Sequence, residues 1–329
     1  MSNCVDFTLK DTVKFLKKND NYIILTHASP DGDTLGSGYA LYYGLKQLGK
    51  QAEVICPDVI PQKYAYFLCE TDYVKKENAH IIAVDVADKT LLGALKDEFG
   101  DIVDLNIDHH ISNKRYAKAL YLNSDASATC EMIYEILLKL KVKFNVTIAK
   151  ALYTGIATDT GCFKYSSVTE KTHKIAADLY RYDIEADDIN KIMFDTKSKN
   201  LLTLERMVLD TAEYHFDDKC MVLSITAAMQ QKTGCSGPDL EGVTVISRCV
   251  EGVIAGVTIK QTGSDTYKVS LRTYEPLDAS EICKGLGGGG HKNAAGASLS
   301  GTLEEVKTKI LEVIKQHMEE KNAWTSADK

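Results

Sequence analysis

No apolar run in this chain approaches the ~18 residues that a membrane-spanning helix requires, so no membrane association is expected. The start, Met1-Ser2-Asn3-Cys4-Val5-Asp6, has neither a basic stretch nor an apolar one, and no secretory signal is expected there. Nine cysteines occur, an odd number at irregular spacing and without a Cys-x-x-Cys pair, which argues against a zinc cluster. Cys56, Cys69, Cys130, Cys162 and Cys249 mostly sit among apolar neighbours and read as reduced, largely buried thiols of a cytoplasmic protein. Positive charge is also scarce. The formal net charge is -7 and arginine occurs only at positions 115, 181, 206, 248 and 272. A protein that coats long duplex nucleic acid carries a basic face, so that partner is excluded. Short oligonucleotides and mononucleotides are not, because bound metal ions can supply the local positive charge. No internal repeat and no low-complexity tract is present.

What is present suits two domains: 329 residues, 44% hydrophobic and 26% charged. Residues 1–190 alternate short apolar runs with helical patterns, the mark of an α/β domain on a mainly parallel sheet. The patterns predict strands at 22–26, 51–56, 80–85 and 102–107. They predict helices at 8–18, 36–48, 127–140, 146–158, 169–182 and 187–194, with Gly49 closing the helix 36–48 as a C-cap. A polar stretch, Asp195 to Asn200, marks a partly helical linker over 191–212. Residues 213–329 read as a smaller α+β domain on an antiparallel or mixed sheet, with strands at 219–226, 243–250, 252–260 and 267–273 and a final helix at 302–319.

Acids and histidines stand where the apolar runs end. His27, Asp31 and Asp33 follow Tyr22 to Thr26; Asp85 ends Ile81 to Val84; Asp108, His109 and His110 end Leu105 to Ile107; Asp159 ends a helix. In open α/β sheets, sites gather beyond the carboxyl ends of the strands, with Gly32 expected to turn the chain so that Asp31 and Asp33 both face inward. Oxygen and imidazole ligands suit a hard or borderline divalent ion. Four carboxylates and two histidines are too many for one ion and about right for two. Asp159 is an unfavourable choice at a helix C-terminus unless a cation offsets it. His109 is the best ligand of its triplet, Asp108 would orient an imidazole, and His110 would contact phosphate or protonate a leaving group.

A second signal is Gly285-Leu286-Gly287-Gly288-Gly289-Gly290-His291. Successive glycines can form a nest of N–H groups around an anion, with His291 donating to a phosphate oxygen. The spacing fits neither a triphosphate loop nor a dinucleotide fold. Arg272 shares a strand face with Ser270 and could reach a base or phosphate, and Arg248 is a weaker candidate for the same work.

With these residues in place, the chain resembles the DHH/DHHA1 phosphoesterase family over nearly its full length. His27-x-x-x-Asp31-x-Asp33 looks like the family's first motif, Asp85 its second, Asp108-His109-His110 its third and Asp159 its fourth. Gly288-Gly289-Gly290-His291 looks like the glycine-histidine element of the DHHA1 domain. The resemblance implies a DHH domain over 1–190, a DHHA1 substrate-binding domain over 213–329, and an active site in the cleft between them. It implies two Mn²⁺ ions, with Mg²⁺ or Co²⁺ as substitutes. His27, Asp31 and Asp85 would hold one, and Asp33, Asp85, His109 and Asp159 the other, Asp85 bridging. The compact branch of the family hydrolyses short oligoribonucleotides (nanoRNA, pApA) and 3′-phosphoadenosine 5′-phosphate. Cyclic-dinucleotide hydrolysis, or non-catalytic nucleotide binding on the same fold, are the alternatives. A homodimer is compatible with all of these.

Overall fold

The computed structural model describes residues 4–240 and 242–321, and the chain divides into two compact units, 1–196 and 197–329. Part of the expected signal-free start, residues 1–3, lies outside the described residues.

The first unit runs β1 (Val5–Asp6), α1 (Leu9–Lys18), β2 (Tyr22–Leu25), α2 (Gly32–Gln47), β3 (Ala52–Ile55), β4 (His80–Val84), α3 (Lys96–Phe99), β5 (Leu105–Asp108), β6 (Ala119–Leu122), α4 (Thr129–Lys139), α5 (Val146–Asp159), α6 (Glu170–Leu179) and α7 (Ala186–Asn190). Its six strands pair in the order β1-β6-β5-β4-β2-β3, every pair parallel, with helices packed around the sheet. The expected α/β class therefore stands. Parallel strands covered on both faces lose polar alternation, and all four residues of β2 are buried. The edge strand β1 and its neighbour β6 were not foreseen; β1, at two residues, is too short to show a period.

Helix α2 begins four residues earlier than its apolar pattern predicts. Asp31 caps it, its Oδ1 accepting from the N–H groups of Asp33 and Thr34 at 3.0 Å each, which draws Gly32 and Asp33 into the first turn. Gly32 is thus helical and does not turn the chain. Its missing side chain serves a close approach, since a Cβ there would collide with Thr158 on α5. Gly36, one turn on, lies against the carbonyl of Ala151 and Cys130 Sγ, and Gly155 of α5 answers from the other side. Small residues at this spacing let α2 and α5 pack backbone to backbone, which brings the start of α2 beside the end of α5.

The second unit runs α8 (Lys199–Leu209), β7 (Glu213–His215), β8 (Cys220–Ile225), α9 (Ala227–Thr233), β9 (Ala255–Gln261), β10 (Thr266–Thr273), α10 (Ala279–Gly285), β11 (Gly289–His291), β12 (Ala294–Ser300) and α11 (Leu303–Glu320). The sheet order is β11-β12-β10-β9-β8-β7, parallel only between β8 and β9, so the sheet is mixed. The segment 191–212, expected as a partly helical linker, contains α8. This helix buries Leu204 and Val208 against Met221 and Leu223 of β8. Residues 243–250, expected as a strand, instead form a 3-10 stretch (Gly242–Arg248) laid over the sheet, with Ser247 against Gly256 of β9. Its β-branched residues cover a face rather than join an edge, a case of tertiary packing overriding β propensity.

All nine cysteines are free thiols, but Cys69 and Cys249 are exposed where burial was expected. No helix among the described residues is long and apolar enough to cross a membrane.

Candidate metal centre

Every acid and histidine singled out in the first unit comes to the carboxyl end of the parallel sheet. His27 and Asp85 follow β2 and β4, Asp108 closes β5, His109 and His110 come next, Asp31 and Asp33 open α2, and Asp159 closes α5. Donor atoms of His27, Asp31 and Asp85 lie within 4.8 Å of one another, as do those of Asp33, His109 and Asp159, and those of Asp85, His109 and His110. Asp85 is shared by geometry. Its Oδ2 is 3.7 Å from His27 Nε2 and its Oδ1 is 3.7 Å from His109 Nε2. His27 Nε2 also stands 3.6 Å from Asp31 Oδ1, and His109 Nε2 stands 4.0 Å from Asp33 Oδ2. Asp31 is therefore both helix cap and member of the cluster.

The backbone is set for this. Asp85 has φ 60°, the left-handed region that Asp tolerates better than most side chains, and its N–H bonds the carbonyl of Ile107 at 2.9 Å. Thr34 ties the neighbouring strand ends together. Its Oγ1 donates to the Val84 carbonyl at 3.2 Å and accepts from the His27 N–H at 3.3 Å.

Both candidate ligand imidazoles are turned the same way. His27 Nδ1 is 2.8 Å from the Ala28 carbonyl and His109 Nδ1 is 3.1 Å from the Ala126 carbonyl. A carbonyl can only accept, so Nδ1 of each ring carries a proton and Nε2 of each is the atom turned to the carboxylates, free to serve as a ligand once any proton on it is displaced. His109 Nε2 is buried without a hydrogen-bond partner. Two carboxyls are unfavourable as anions. Burial first, then the charges of Asp85 and Asp31, pushes the Asp33 carboxyl well above its usual range. Burial and then the charges of Asp33 and Asp85 do the same to Asp159. Burial alone would lower the His27 imidazole, but Asp31 and Asp85 raise it to about 11. An orphaned imidazole nitrogen among crowded carboxylates lacks positive charge, and oxygen with imidazole is the donor set of a divalent cation. The residues present fit a pair of such ions.

Asp108 and His110 form a separate pair. Asp108 is fully buried, its Oδ1 2.8 Å from His110 Nδ1 and its Oδ2 accepting from Asn113 at 2.6 Å. Burial opposes charge on His110, but Asp108 and Asp85 raise its imidazole to about 9. His110 is a little over a third exposed by side chain at 35%, enough to meet a ligand.

Sequence reasoning missed the support around the cluster. Thr129 and Cys130 donate their backbone N–H groups to Asp33, at 2.6 Å to Oδ2 and 2.8 Å to Oδ1, and Thr129 Oγ1 donates to Asp85 Oδ1 at 2.9 Å. The one available signal was that α4 begins after Ala128, a residue with no capping side chain.

In the second unit, β11 pairs His291 with Ala294, and β10 pairs Arg272 with Ala294. His291 and Arg272 thus lie in one row on one sheet face, about 10 Å apart by strand spacing. The glycines form no nest. Gly287 and Gly288 spend their N–H groups on the Lys284 and Cys283 carbonyls, and Gly289 and Gly290 belong to an exposed edge strand. Gly290 (φ 149°) needs glycine because a Cβ would press on the backbone of Ala294 and Ala295. Arg248 ends the 3-10 stretch instead of sitting on a strand.

Two family models match this chain: the N-terminal domain of the DHH family over residues 21–156 and the DHHA1 domain over 240–320. A bifunctional oligoribonuclease and PAP phosphatase NrnA of Thermus thermophilus is 31% identical over 90% of this chain and 89% of its own length. The protein of the same name from Bacillus subtilis is 26% identical, covering 88% of this chain and 92% of its own. A crystal structure of an exopolyphosphatase-related protein from Bacteroides fragilis superposes with a TM-score of 0.83 at 24% identity, over 97% of each chain, which bears on the fold.

Proposed function

The chain belongs to the DHH family and carries the DHHA1 domain with it, and from that premise we propose that it is a two-metal phosphoesterase. Its proposed substrates are short oligoribonucleotides such as pApA and the bisphosphorylated nucleotide 3′-phosphoadenosine 5′-phosphate, the two activities in the name of its Thermus thermophilus relative. The observation that carries the reading is the shared carboxylate of Asp85, one oxygen facing His27 and the other His109. Mn²⁺ is the proposed ion.

When bound, a pair of divalent cations supplies an activated water and charge stabilisation for in-line attack on phosphorus. The protein's own side chains do the rest. His27, Asp31 and Asp85 hold one position, and Asp33, Asp85, His109 and Asp159 the other. The Ala28 and Ala126 carbonyls fix the ligand tautomers. Asp108 keeps His110 protonated at Nδ1 and oriented, so that it can contact a phosphate oxygen or give a proton to the leaving group. In the second unit, Gly288, Gly289, Gly290, His291 and Arg272 are proposed to hold the nucleotide, with Gly289 and Gly290 on an exposed strand edge, Gly288 leading into it, and the His291 imidazole and Arg272 guanidinium in one row. Arg248 has less support, since the row does not include it. A complete set of ligands speaks for catalysis over mere nucleotide binding. Nine free thiols fit a reducing compartment, and the cytoplasm is the proposed location.

The test is a panel of pApA, 3′-phosphoadenosine 5′-phosphate, a longer oligoribonucleotide and cyclic di-AMP, incubated with purified protein and Mn²⁺, with the products sized. Mononucleotide from pApA and AMP from the bisphosphate are expected. Cleavage of cyclic di-AMP alone would redirect the assignment.

A further inference from the structure

Thr129 is completely buried at the first position of α4, and it is the only residue that hydrogen-bonds to both Asp33 and Asp85 among the described residues. Its backbone N–H reaches Asp33 Oδ2, the oxygen that faces His109, at 2.6 Å. Its hydroxyl reaches Asp85 Oδ1 at 2.9 Å, the oxygen that faces His109 and lies 3.6 Å from His110 Nδ1. The hydroxyl has little else to do at this place. Ala128 ahead of it leaves the helix start uncapped, and the Asp33 carboxylate supplies that cap from α2 through the N–H groups of Thr129 and Cys130. The end of α4 is thereby anchored to one carboxylate, and the Thr129 hydroxyl is carried at a fixed place beside the other.

The consequence concerns the orientation of Asp85. A carboxylate rotates freely about its last bond unless its oxygens are held apart. A donor on Oδ1 occupies one lone pair of that oxygen, leaves the other toward His109, and turns Oδ2 toward His27. Resting on the two-metal reading above, we propose that Thr129 is the positioning residue that keeps Asp85 in its bridging orientation, so that the two cation positions form together rather than singly. The arrangement is that of an outer hydrogen bond tuning a ligand, and loss of such a partner costs on the order of 10–100-fold in metal affinity or activity.

The test uses Thr129→Val, which keeps the backbone N–H and the side-chain shape and removes the hydroxyl, and Thr129→Ser, which restores it. Chelator-treated full-length protein is titrated with Mn²⁺ by calorimetry, and the loaded protein is read by electron paramagnetic resonance, where two bridged Mn²⁺ ions give an exchange-coupled spectrum. For Thr129→Val the second ion is expected to bind at least about tenfold more weakly, the coupled spectrum to give way to that of isolated Mn²⁺, and kcat to fall with KM little changed. Thr129→Ser is expected to recover all three. A purely structural role would lower the melting temperature of the metal-free protein and leave the coupled spectrum of the folded fraction intact. If Thr129→Val does not fold, Thr129→Ala carries the same expectation. Two ions of unaltered affinity with an intact coupled spectrum in the hydroxyl-free variant would overturn the proposal while leaving the two-metal reading standing. A wild-type protein that binds no coupled pair would instead remove the reading on which the proposal rests.

Discussion

His109 Nε2 stands 3.4 Å from Asp159 Oδ2, with no hydrogen-bond partner among the described residues. Because Nδ1 is directed to the Ala126 carbonyl, Nε2 and a carboxyl oxygen of Asp159 face each other across that gap. The pair is held there by the end of α5 and the loop after β5, elements built by close packing elsewhere. Crowding at the site is thus sustained by the fold, and a divalent cation would relieve the repulsion that ionisation of these groups brings.

That repulsion has a pH dependence. The raised carboxyls of Asp33 and Asp159 would ionise near 3.8 in the unfolded chain. Above that value the folded chain holds more protons than the unfolded one, so the stability due to these groups falls as pH rises. His27, raised from 6.5 to about 11, acts in the same direction: its contribution is full below 6.5 and is lost as pH rises through about 11. The melting temperature of chelator-treated protein is therefore expected to be lower at pH 8 than at pH 5.5. The increase brought by Mn²⁺ is expected to be larger at pH 8, and saturation at a hundred times Kd corresponds to about 2.7 kcal/mol.

Asp159→Asn removes one crowded charge. The metal-free variant is expected to melt higher than the wild type at pH 7.5, by about 2–4 °C for each kcal/mol relieved, and to gain less from Mn²⁺. Differential scanning fluorimetry with and without chelator measures both.

Gly155 has no room for a side chain beside the site. A Cβ there would collide with Cys130 Sγ and stand 2.9 Å from Asp33 Oδ1 and 3.0 Å from Asp33 Cα. Gly155→Ala is expected to cost about 1–3 kcal/mol by overpacking and to weaken Mn²⁺ binding, because Asp33 must shift. Adding Cys130→Ala should recover part of the stability, less of the metal affinity, and the two changes should not add. Urea unfolding of the three variants decides this.

His110→Gln is expected to lower kcat by about 10²–10⁴-fold while the protein still takes up its full complement of Mn²⁺, since the residue's proposed work is on the phosphate. Steady-state kinetics beside a metal titration separate the two effects.

The parts of this site that were legible in the sequence are those whose chemistry is unusual for their place. An Asp at a helix C-terminus, an Asp-His-His triplet straight after a buried strand and a lone Asp closing another all conflict with local preference. Their spacing along consecutive strand ends resolves the conflict. Thr129, Gly36 and Gly155 were not legible, because a buried threonine at a helix start and a glycine within a helix are locally unremarkable. Their meaning lies in what α2, α4 and α5 place beside them. The same distinction explains the fold. The central strands showed as continuous apolar runs, whereas β1 and β11 are too short to carry a pattern. Residues 243–250 had a strand's composition but meet the sheet face-on through Ser247 and Gly256.

The central claim is that distant acids and histidines close around two cations through Asp85. Its most direct measurement is calorimetric titration of metal-free wild-type and Asp85→Asn protein with Mn²⁺, an exchange that keeps the side-chain shape at a left-handed position. The account requires two ions per wild-type chain, and in the variant the loss of at least one with weakening of the other. Two ions bound to the variant at unchanged affinity, or none bound to the wild type, would contradict it.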